Sequence, residues 1–494
     1  MYAPAHNKVS RFAAGLSVQD QEFELPGIDS AQGDADINYA FFFSPARRYK
    51  KRKLPIGRLK VSLISTVQQF PIMLGHVATT NNGGPGVKIV VDSSNINWPD
   101  ITEAAVSNMT IASLQRAGFA WAQWPPVAHT VDLAQRSSSP MLALHVVRYR
   151  CGGISVHTKV RHLIVDAKGA WRFYHAWAQA CQALCGKSSK QMLTPQKNSQ
   201  AQEHNRFAIN SRLATPPVPG RELDSATSTV ANHMHQMSQF FDSIIERRLR
   251  TDNADSVDTI RYRVRKFRLS RDSASRLKAV HGRLSQCSPE NSLFVRANNI
   301  TYVSTNDLIS AMLWRAITRA HQALRPSDPH TCMMLACDVR GRIGITPTYT
   351  GNASFPLIIN MSRHQMLQHT VTDTATLIRQ KIDMLSPAYA QQMMEFMASA
   401  DSLQRLISMF HPQNSFFSAS VLSGFSMYDM ADFGFGKPAH IDIPPYLSPG
   451  FSMWIPAHPA AQSGLEATIN ISLCEDVFQL MLKDAELCEY FEII

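Results

Sequence analysis

Apolar side chains recur at helical spacing early in the chain. In LKVSLISTVQQF (59–70), Leu59, Leu63 and Val67 stand four residues apart, so they share one face of a helix. Pro71 ends this pattern because proline has no amide proton for the helical hydrogen bond. We therefore predict a helix that leads into an extended segment.

Short apolar runs predict strands along the whole chain. The runs are VKIVV (87–91), MLALHVV (141–147) and residues 154–162, 261–270, 333–338, 416–422 and 466–473. Residues 171–185 and 304–321 have the length and apolar density of packed helices. Ser304, Thr305 or Asn306 can cap the second helix. Strands that alternate with helices indicate an α/β protein.

A polar stretch interrupts this alternation. Residues 186–225 are rich in Lys, Ser, Gln, Asn and Pro and show no periodicity, which is typical of a linker. A chain of 494 residues is also too long for one ordinary core. We therefore predict an N-terminal domain over residues 1–190, a linker over 191–225 and a C-terminal domain over 226–494.

The composition narrows the class of protein. No run approaches the ~18 apolar residues that a membrane-spanning helix needs, and MYAPAHNKVSR lacks the apolar core of a signal peptide. We expect a cytoplasmic globular protein without a membrane span. The 8 cysteines include no CxxC pair, and Cys181 and Cys185 come nearest to one. They predict reduced core thiols rather than a disulfide framework or a metal site.

The chain is basic, with a formal net charge of +11. Its sharpest cluster, RRYKKRK (47–53), has no interleaved aromatic residues and no DNA-binding motif around it, so we interpret it as a solvated loop and expect no nucleic-acid partner. A diffuse positive field also suits a small anionic molecule that carries phosphates. Charge alone does not decide between these possibilities.

Three short segments resemble parts of other catalytic motifs, but each lacks residues that its motif requires. GFSMY (424–428) lacks the second glycine of a nucleophile elbow, and FGFGKP has proline where a phosphate-binding loop needs Ser or Thr. DFG (432–434) resembles a kinase tripeptide, but no HRD tripeptide accompanies it.

The stretch VRHLIVD (160–166) places a base and an acid after an apolar strand. Val160 and His162 share one face of that strand because side chains alternate. Burial lowers the pKa of a histidine and keeps it neutral, so it can accept a proton near pH 7. From these residues alone, a core histidine with a satisfied hydrogen bond is the better interpretation, and Asp166 can simply cap a helix.

Several longer segments change that interpretation when they are taken together. They are LKVSLISTVQQFPIMLGHV (59–77), CGGISVHTKVRHLIVDAKG (151–169), STNDLISAMLWRAITRA (304–320), CDVRGRIGITPTYTGN (337–352) and DFGFGKP (432–438). In this order they resemble the PLAGR-like, HxxxD, central-helix, DxRxR, YFGN and DFGWG elements of the BAHD acyltransferases. These are coenzyme-A-dependent enzymes of plant and fungal specialised metabolism. The resemblance covers nearly the whole chain.

Three positions depart from the family pattern. Arg161 replaces a second histidine, Ala167 replaces the glycine after the aspartate, and Phe435 replaces the signature tryptophan. We expect Gly169 to supply the flexibility that Ala167 lacks. None of the changes removes the histidine, and the pattern resembles a divergent, fungal-type branch.

The resemblance implies a fold and a site. The fold is two chloramphenicol-acetyltransferase-like α/β domains with a channel between them. His162 is the general base, and Asp166 is structural and pairs with an arginine, for which Arg315 and Arg340 are the candidates. The DFGFG segment, with Asp432, Gly434 and Gly436, is a structural turn.

The implied reaction is direct transfer in a ternary complex. His162 takes the proton of the acceptor hydroxyl as its oxygen attacks an acyl-CoA thioester. Ser418, Ser420 and Ser423 are candidate donors to the oxyanion. Ser304, Thr305 and Lys278 are candidate contacts for coenzyme A. Acyl-CoA is a co-substrate, and no cofactor is permanently bound.

The prediction is an O-acyltransferase, most simply an acetyltransferase, that acts as a monomer on an apolar specialised metabolite. Transfer to an amine is an alternative. A catalytically silent relative that binds a ligand or partner is another, as is a condensation-type domain that takes acyl groups from carrier proteins. The Met-rich residues 384–410 can line an acceptor pocket, although core packing is the simpler interpretation.

Overall fold

The structure of the protein is a computed structural model. The residues described are 5–6, 18–25, 27–30, 35–45, 55–79, 87–125, 140–185, 230, 232–240, 242, 262–284, 300–397, 414–446, 448–459 and 465–494. The chain divides into two compact units. Unit 1 comprises Met1–Ser211, Ile345–Ala353 and Ser426–Pro444, and unit 2 comprises Arg212–Gly344, Ser354–Phe425 and Pro445–Ile494.

Unit 1 is built on two sheets. Its strands are β1 Ala5–His6, β2 Gln21–Glu24, β3 Asp36–Phe43, β4 His76–Thr79, β5 Val87–Val91, β6 Asp100–Val106, β7 Leu142–Tyr149, β8 Ile154–Arg161 and β13 His440–Asp442. A 6-stranded sheet has the order β1-β6-β7-β8-β3-β13, and a 3-stranded sheet has the order β2-β5-β4. The pairs β7·β8 and β8·β3 are antiparallel, and β6 runs parallel to β7.

The α-helices described in unit 1 are α1 Gly27–Ser30, α2 Ile56–Val67, α3 Ile111–Arg116, α4 Ala167–Ala183 and α10 Met427–Met430. The two longest, α2 and α4, pack together on one face of the larger sheet. Tyr39 on β3 meets Trp171 on α4 with ring centroids 5.1 Å apart. The indole of Trp177 donates to the Leu59 carbonyl at 3.1 Å, which joins α4 to α2. Buried aromatic contacts of this kind stabilise the packing of α4, the helix that follows His162 in the chain, against the sheet.

The other face of that sheet carries a second core. It consists of Ala40, Phe42, Ile111, Leu114, Phe119, Trp124, Val147 and Tyr149. Three buried polar groups cross it: Tyr149 Oη lies 3.0 Å from Ser155 Oγ, and Ser155 Oγ lies 2.8 Å from His157 Nε2. These hydrogen bonds satisfy polar atoms inside an apolar layer.

Unit 2 contains one large sheet. Its strands are β9 Tyr262–Ser270, β10 His330–Asp338, β11 Ser354–Ser362, β12 Phe416–Val421, β14 Phe451–Pro456, β15 Leu465–Cys474 and β16 Phe491–Ile493. They form a 7-stranded sheet in the order β11-β10-β12-β14-β15-β9-β16. The β10·β12 and β12·β14 pairs are parallel, and the remaining neighbours are antiparallel.

The helices of unit 2 are arranged around a central one. They are α5 Arg271–His281, α6 Thr305–Leu324, α7 Arg363–Gln368, α8 Val371–Asp383, α9 Pro387–Met397, α11 Glu475–Met481 and α12 Ala485–Cys488. The central α6 begins with a capping box in which Ser304 and Asp307 satisfy each other's main-chain N–H groups. Among the helices that the structure describes, none has the length and apolarity needed to cross a membrane.

Most predicted elements appear with shifted ends. The helix predicted over 59–70 is α2, which begins at Ile56 and is followed by a 3-10 turn at Pro71–Leu74. The helix predicted from Trp171 begins at Ala167, because Asp166 caps it. The Met-rich segment contains α9, in which Met393 is fully buried, as core packing requires. Residues 398–410 of that segment lie outside the described part of the chain.

The predicted domain boundaries differ from the observed division. We predicted one continuous C-terminal domain, 226–494, that carries DFGFG, but Ile345–Ala353 and Ser426–Pro444 belong to unit 1. The physical reason is strand pairing, because β13 completes the edge of the unit 1 sheet against β3. The predicted linker, 191–225, lies outside the described residues.

One buried histidine makes unit 2 sensitive to acid. His321 on α6 is 2% exposed, and burial lowers its pKa from 6.5 to about 3. The unfolded chain binds this proton and the folded chain does not, so stability falls between pH 6.5 and about pH 3 by about 1.4 kcal/mol per unit. The difference between the urea midpoints at pH 7 and pH 5 should be smaller in His321→Gln than in the parent, and the part that remains comes from other groups such as His233, whose pKa burial also lowers. An equal difference in both proteins contradicts this prediction.

Candidate functional site

His162 follows strand β8 directly. Its main-chain N–H donates to the Ala35 carbonyl at 2.8 Å, and the N–H of Arg161 donates to the Met141 carbonyl at 3.0 Å. A turn closes next, with Ile164 N–H bonded to the Arg161 carbonyl at 3.2 Å, and α4 begins after Asp166. Bonds on both sides therefore fix the main chain at the histidine.

The His162 side chain is half-buried, and its Nδ1 is buried without a hydrogen-bond partner in the described part of the chain. Burial lowers the pKa of His162, so the imidazole is neutral at pH 7. Its own carbonyl group, the Asp166 and Asp29 carboxylates and the Asn352 side chain act in the opposite direction and raise the pKa. The ring is thus a neutral base with nearby groups that stabilise its protonated form.

Asp166 is a buried helix cap. Its Oδ1 accepts from the Gly169 N–H at 2.8 Å, and its Oδ2 accepts from the Ala353 N–H at 3.0 Å. The carboxylate is 2% exposed. It therefore joins the start of α4 to the 350–353 segment, and both of these bonds go to main-chain groups.

The two arginines proposed as partners of Asp166 both belong to unit 2. Arg340 is 1% exposed and donates from Nη1 to Asp338 Oδ1 at 2.9 Å. Arg315 donates to the main-chain carbonyls of Met366 and His369, and its Nε lies 3.6 Å from Glu486. The contacts of Arg315 tie α6 to its neighbours in unit 2. The pairing of Asp166 with an arginine stays a prediction.

Gly169 has a role that differs from the predicted one. We expected it to supply flexibility, but it lies in the first turn of α4. A Cβ atom built there would lie 2.0 Å from the Thr350 carbonyl oxygen. The missing side chain therefore permits close approach of the 350–353 segment to the helix.

Gly169→Ala is accordingly expected to be destabilising. Because the clash is with main chain, the two segments must separate, at a cost of about 1–3 kcal/mol or more, although alanine is the better helix former. Chemical denaturation of the variant measures this loss. Gly57→Ala in α2, where a Cβ meets nothing within 4 Å, is the matched control. Equal stabilities of the two variants contradict the prediction.

Two buried residues beside His162 were not singled out from the sequence, Asp29 and Asn352, both 0% exposed. The Asn352 N–H and Nδ2 donate to Asp29 Oδ1 at 3.1 and 2.6 Å. The same Nδ2 donates to the His162 carbonyl at 2.8 Å. Asn352 could have been found from the TYTGN segment, whereas Asp29 in LPGID stands two positions after a glycine and looks like an ordinary turn residue.

The DFGFG segment forms a tight turn on α4. Asp432 Oδ1 accepts from the N–H groups of Gly434 and Gly436 at 2.8 and 3.0 Å. Both glycines have positive φ, 78° and 94°, a conformation that side chains oppose. Phe433 is fully buried and its ring lies 4.6 Å from Trp177. The motif thus supports the helix that follows the candidate base.

Phe435, which replaces the family's tryptophan, keeps an aromatic contact. Its ring centroid lies 5.7 Å from Phe43 and 5.8 Å from the Arg58 guanidinium carbon. These are packing and cation–π contacts that need no N–H donor. The loss of the indole N–H is therefore compatible with the turn.

The residues predicted to contact coenzyme A have partners within unit 2. Ser304 Oγ accepts from the Asp307 N–H at 3.1 Å and from Arg379 at 3.1 Å. Lys278 Nζ donates to the Val303 carbonyl, and Thr305 is the first residue of α6. Because the Asp307 carboxylate already occupies the helix start, that N-terminus is less available to a phosphate than we predicted.

The three serines proposed for the oxyanion differ in environment. Ser418 is 1% exposed, and its Oγ has no partner among the described residues. Ser420 and Ser423 are half-buried. All three lie in unit 2, so their role stays a prediction.

Comparison with known proteins identifies the class. The family model described as the Transferase family matches residues 10–486. The chain therefore belongs to this family, that of the BAHD acyltransferases, as its motifs predicted.

Individual relatives are distant. Anthranilate N-benzoyltransferase protein 2 of Dianthus caryophyllus is 23% identical over 328 residues, 65% of this chain and 63% of that protein. Acetyltransferase FGR3 of Gibberella zeae is 21% identical over 96% of this chain and 91% of its own length. The chain thus spans about 63% of the length of the carnation proteins and most of the fungal one.

Solved structures share the fold. F. sporotrichioides TRI101 complexed with coenzyme A and T-2 has a TM-score of 0.68 and 18% identity, over 95% of this chain and 99% of that one. Vinorine synthase has a TM-score of 0.59 and 15% identity, over 97% of this chain and 95% of that one. The α/β fold predicted from the sequence is confirmed.

Proposed function

We propose that this protein is an acyl-CoA-dependent acyltransferase that moves an acyl group, most simply acetyl, to the hydroxyl of an apolar small molecule. The observation that carries the proposal is His162, a neutral imidazole fixed between a strand and a capped helix. Bonds from Ala35 and Asn352 hold its main chain. A positioned base of this kind is what an alcohol needs to become a nucleophile.

The two ring nitrogens of His162 differ in their surroundings. Nδ1 is buried without a hydrogen-bond partner among the described residues, so it is not the atom that meets a substrate hydroxyl. We therefore assign the proton of neutral His162 to Nδ1. Nε2 then carries the lone pair that accepts the proton of the substrate hydroxyl.

The reaction balances without a covalent enzyme intermediate. Nε2 takes the hydroxyl proton while the oxygen bonds to the thioester carbonyl carbon, which gives a tetrahedral oxyanion. The carbon–sulfur bond then breaks, and the coenzyme A thiolate takes the proton back from the imidazolium. The products are the ester and free coenzyme A. Ser418, Ser420 and Ser423 stay the candidate donors to the oxyanion.

The names of relatives support two classes of acceptor. TRI101 was solved with coenzyme A together with T-2 and with deoxynivalenol, and FGR3 is named an acetyltransferase, which supports transfer of acetyl. Anthranilate N-benzoyltransferases are named for an amine acceptor, which makes N-acyl transfer the second candidate. The same base serves both, because an attacking amine must also lose a proton.

Thiol release tests the proposal directly. Purified protein is given acetyl-, malonyl-, benzoyl- and hydroxycinnamoyl-CoA, each with pooled alcohols or pooled amines. Release that depends on an alcohol supports O-acyl transfer, and release that depends on an amine supports the alternative. Coenzyme A binding without release over a broad acceptor panel contradicts the proposal and favours a silent relative.

The pH dependence of the rate is a further prediction. The base works only when neutral, and burial lowers the pKa of His162 below 6.5, so activity should persist as pH falls and decline only below that value. A profile of kcat/KM from pH 4.5 to 8 reports this group in the free enzyme. An acid limb at or above pH 6.5 contradicts the assignment.

A further inference from the structure

The site contains a second buried carboxylate, that of Asp29, which bonds to Asn352, a residue 323 positions later in the chain. Asp29, on the four-residue helix α1, is fully buried. Buried carboxylates are costly unless hydrogen bonds stabilise the charge. The N–H and Nδ2 of Asn352 both bond to Asp29 Oδ1, the latter at 2.6 Å, and hydrogen bonds to an ionised acceptor are shorter and stronger than neutral ones.

Asn352 connects that carboxylate to His162. An asparagine amide has two protons on Nδ2, and here one goes to Asp29 Oδ1 at 2.6 Å and the other to the His162 carbonyl at 2.8 Å. Loss of Asp29 frees the amide to turn away from that carbonyl. The main chain at His162 then loses one of its fixed contacts.

The next residue anchors the same segment at the other carboxylate. The Ala353 N–H bonds to Asp166 Oδ2 at 3.0 Å. The main-chain N–H groups of two adjacent residues, Asn352 and Ala353, therefore bind the carboxylates of Asp29 and Asp166. Asp166 caps α4, whereas Asp29 bonds to the N–H and Nδ2 of Asn352. The same Nδ2 bonds to the His162 carbonyl, so the contacts of Asp29 with Asn352 lead to the histidine.

We infer that Asp29 is a positioning residue for His162, acting through Asn352 to hold the imidazole and to stabilise it when it is protonated during transfer. The inference rests on the proposed role of His162 as base. An anion near the ring favours the imidazolium, and the negative Asp29 acts on His162 in this direction. It makes the neutral ring a stronger base than burial alone would leave it.

The variant Asp29→Asn removes the negative charge of the side chain but keeps its size and shape. The amide oxygen of the new side chain can still accept from Asn352, so the hydrogen bonds survive while the charge is lost. We expect the pKa of His162 to fall, the acid limb of the rate to move to lower pH, and kcat to drop on the order of tenfold with KM unchanged. This loss is smaller than the roughly 10²–10⁴-fold effect of a general base itself.

The pKa of His162 can be measured without any turnover. The 18 histidines are labelled with ¹⁵N, and His162 is identified as the signal absent from His162→Gln. Asp442→Asn is the matched control, because Asp442 is equally buried in unit 1 and bonds to the Ile443 N–H. If Asp29→Asn fails to fold, Asn352→Ser, which keeps the main-chain N–H, cuts the same connection.

The outcomes are distinct. A lower His162 pKa in Asp29→Asn or Asn352→Ser, but not in Asp442→Asn, supports the inference even if no acyl transfer is detected, in which case only the proposed function fails. An unchanged titration in a folded variant, or an equal shift in Asp442→Asn, overturns it.

Discussion

His162→Ala is expected to lower kcat by about 10²–10⁴-fold, the range that removal of a general base produces. The fold should survive, because the side chain is half-buried and its Nδ1 has no partner among the described residues. The bonds that fix this position come from the main chain, at Ala35 and Asn352, and alanine keeps them. Acceptor-dependent thiol release under single-turnover conditions measures the loss.

The controls separate base chemistry from general damage. His162→Gln retains a polar side chain that cannot act as a base, so it should be as inactive as alanine. His76→Ala removes another histidine of unit 1, one whose Nε2 contacts the Asn95 carbonyl at 2.9 Å, and should leave the rate unchanged. A His162→Ala protein with more than a tenth of the parental rate contradicts the proposed mechanism.

Local patterns account for what was predicted correctly. Helix α2 follows from the apolar spacing of Leu59, Leu63 and Val67, and the strand before His162 follows from alternation. Each signal depends on residues within a few positions of one another. The turn at Asp432 is of the same kind, because the carboxylate bonds to N–H groups two and four positions later.

Local sequence patterns could not predict contacts between residues that are far apart in the chain. Asp29 and Asn352 meet across 323 positions, and no spacing rule connects an aspartate in one turn with an asparagine in another. The motifs did mark the TYTGN segment, but they assigned it no partner. The role of Gly169 was mistaken for the same reason, since the atom it avoids belongs to Thr350.

The division into units shows a related limit. A polar stretch predicts where a chain leaves a domain, but not where it returns. Residues 345–353 and 426–444 return to unit 1, and the second of these segments completes a sheet edge through β13. Edge pairing is set by main-chain hydrogen bonds, which leave little trace in a three-residue strand such as His440–Asp442.

Asp166→Ala is expected to lower both stability and rate. Loss of the cap on α4 costs about 1 kcal/mol, and the Ala353 N–H left without its acceptor adds about 1–3 kcal/mol, so the free energy of unfolding should fall by about 2–4 kcal/mol. The 350–353 segment, which also holds the His162 carbonyl, loses its anchor. We therefore expect kcat to fall on the order of tenfold or more at a temperature where the variant stays folded.

Two further variants show which bond matters. Asp166→Asn can still cap α4 through its oxygen but places an amide donor toward the Ala353 N–H, so it should lose less stability than alanine while keeping most of the defect in rate. Thr110→Ala removes the cap of α3, where the hydroxyl accepts from Ser113 N–H at 3.0 Å, and should cost about 1 kcal/mol without changing kcat. If Asp166→Ala and Thr110→Ala have the same kcat, then Asp166 serves only the helix, and the bond to Ala353 has no part in aiming the histidine.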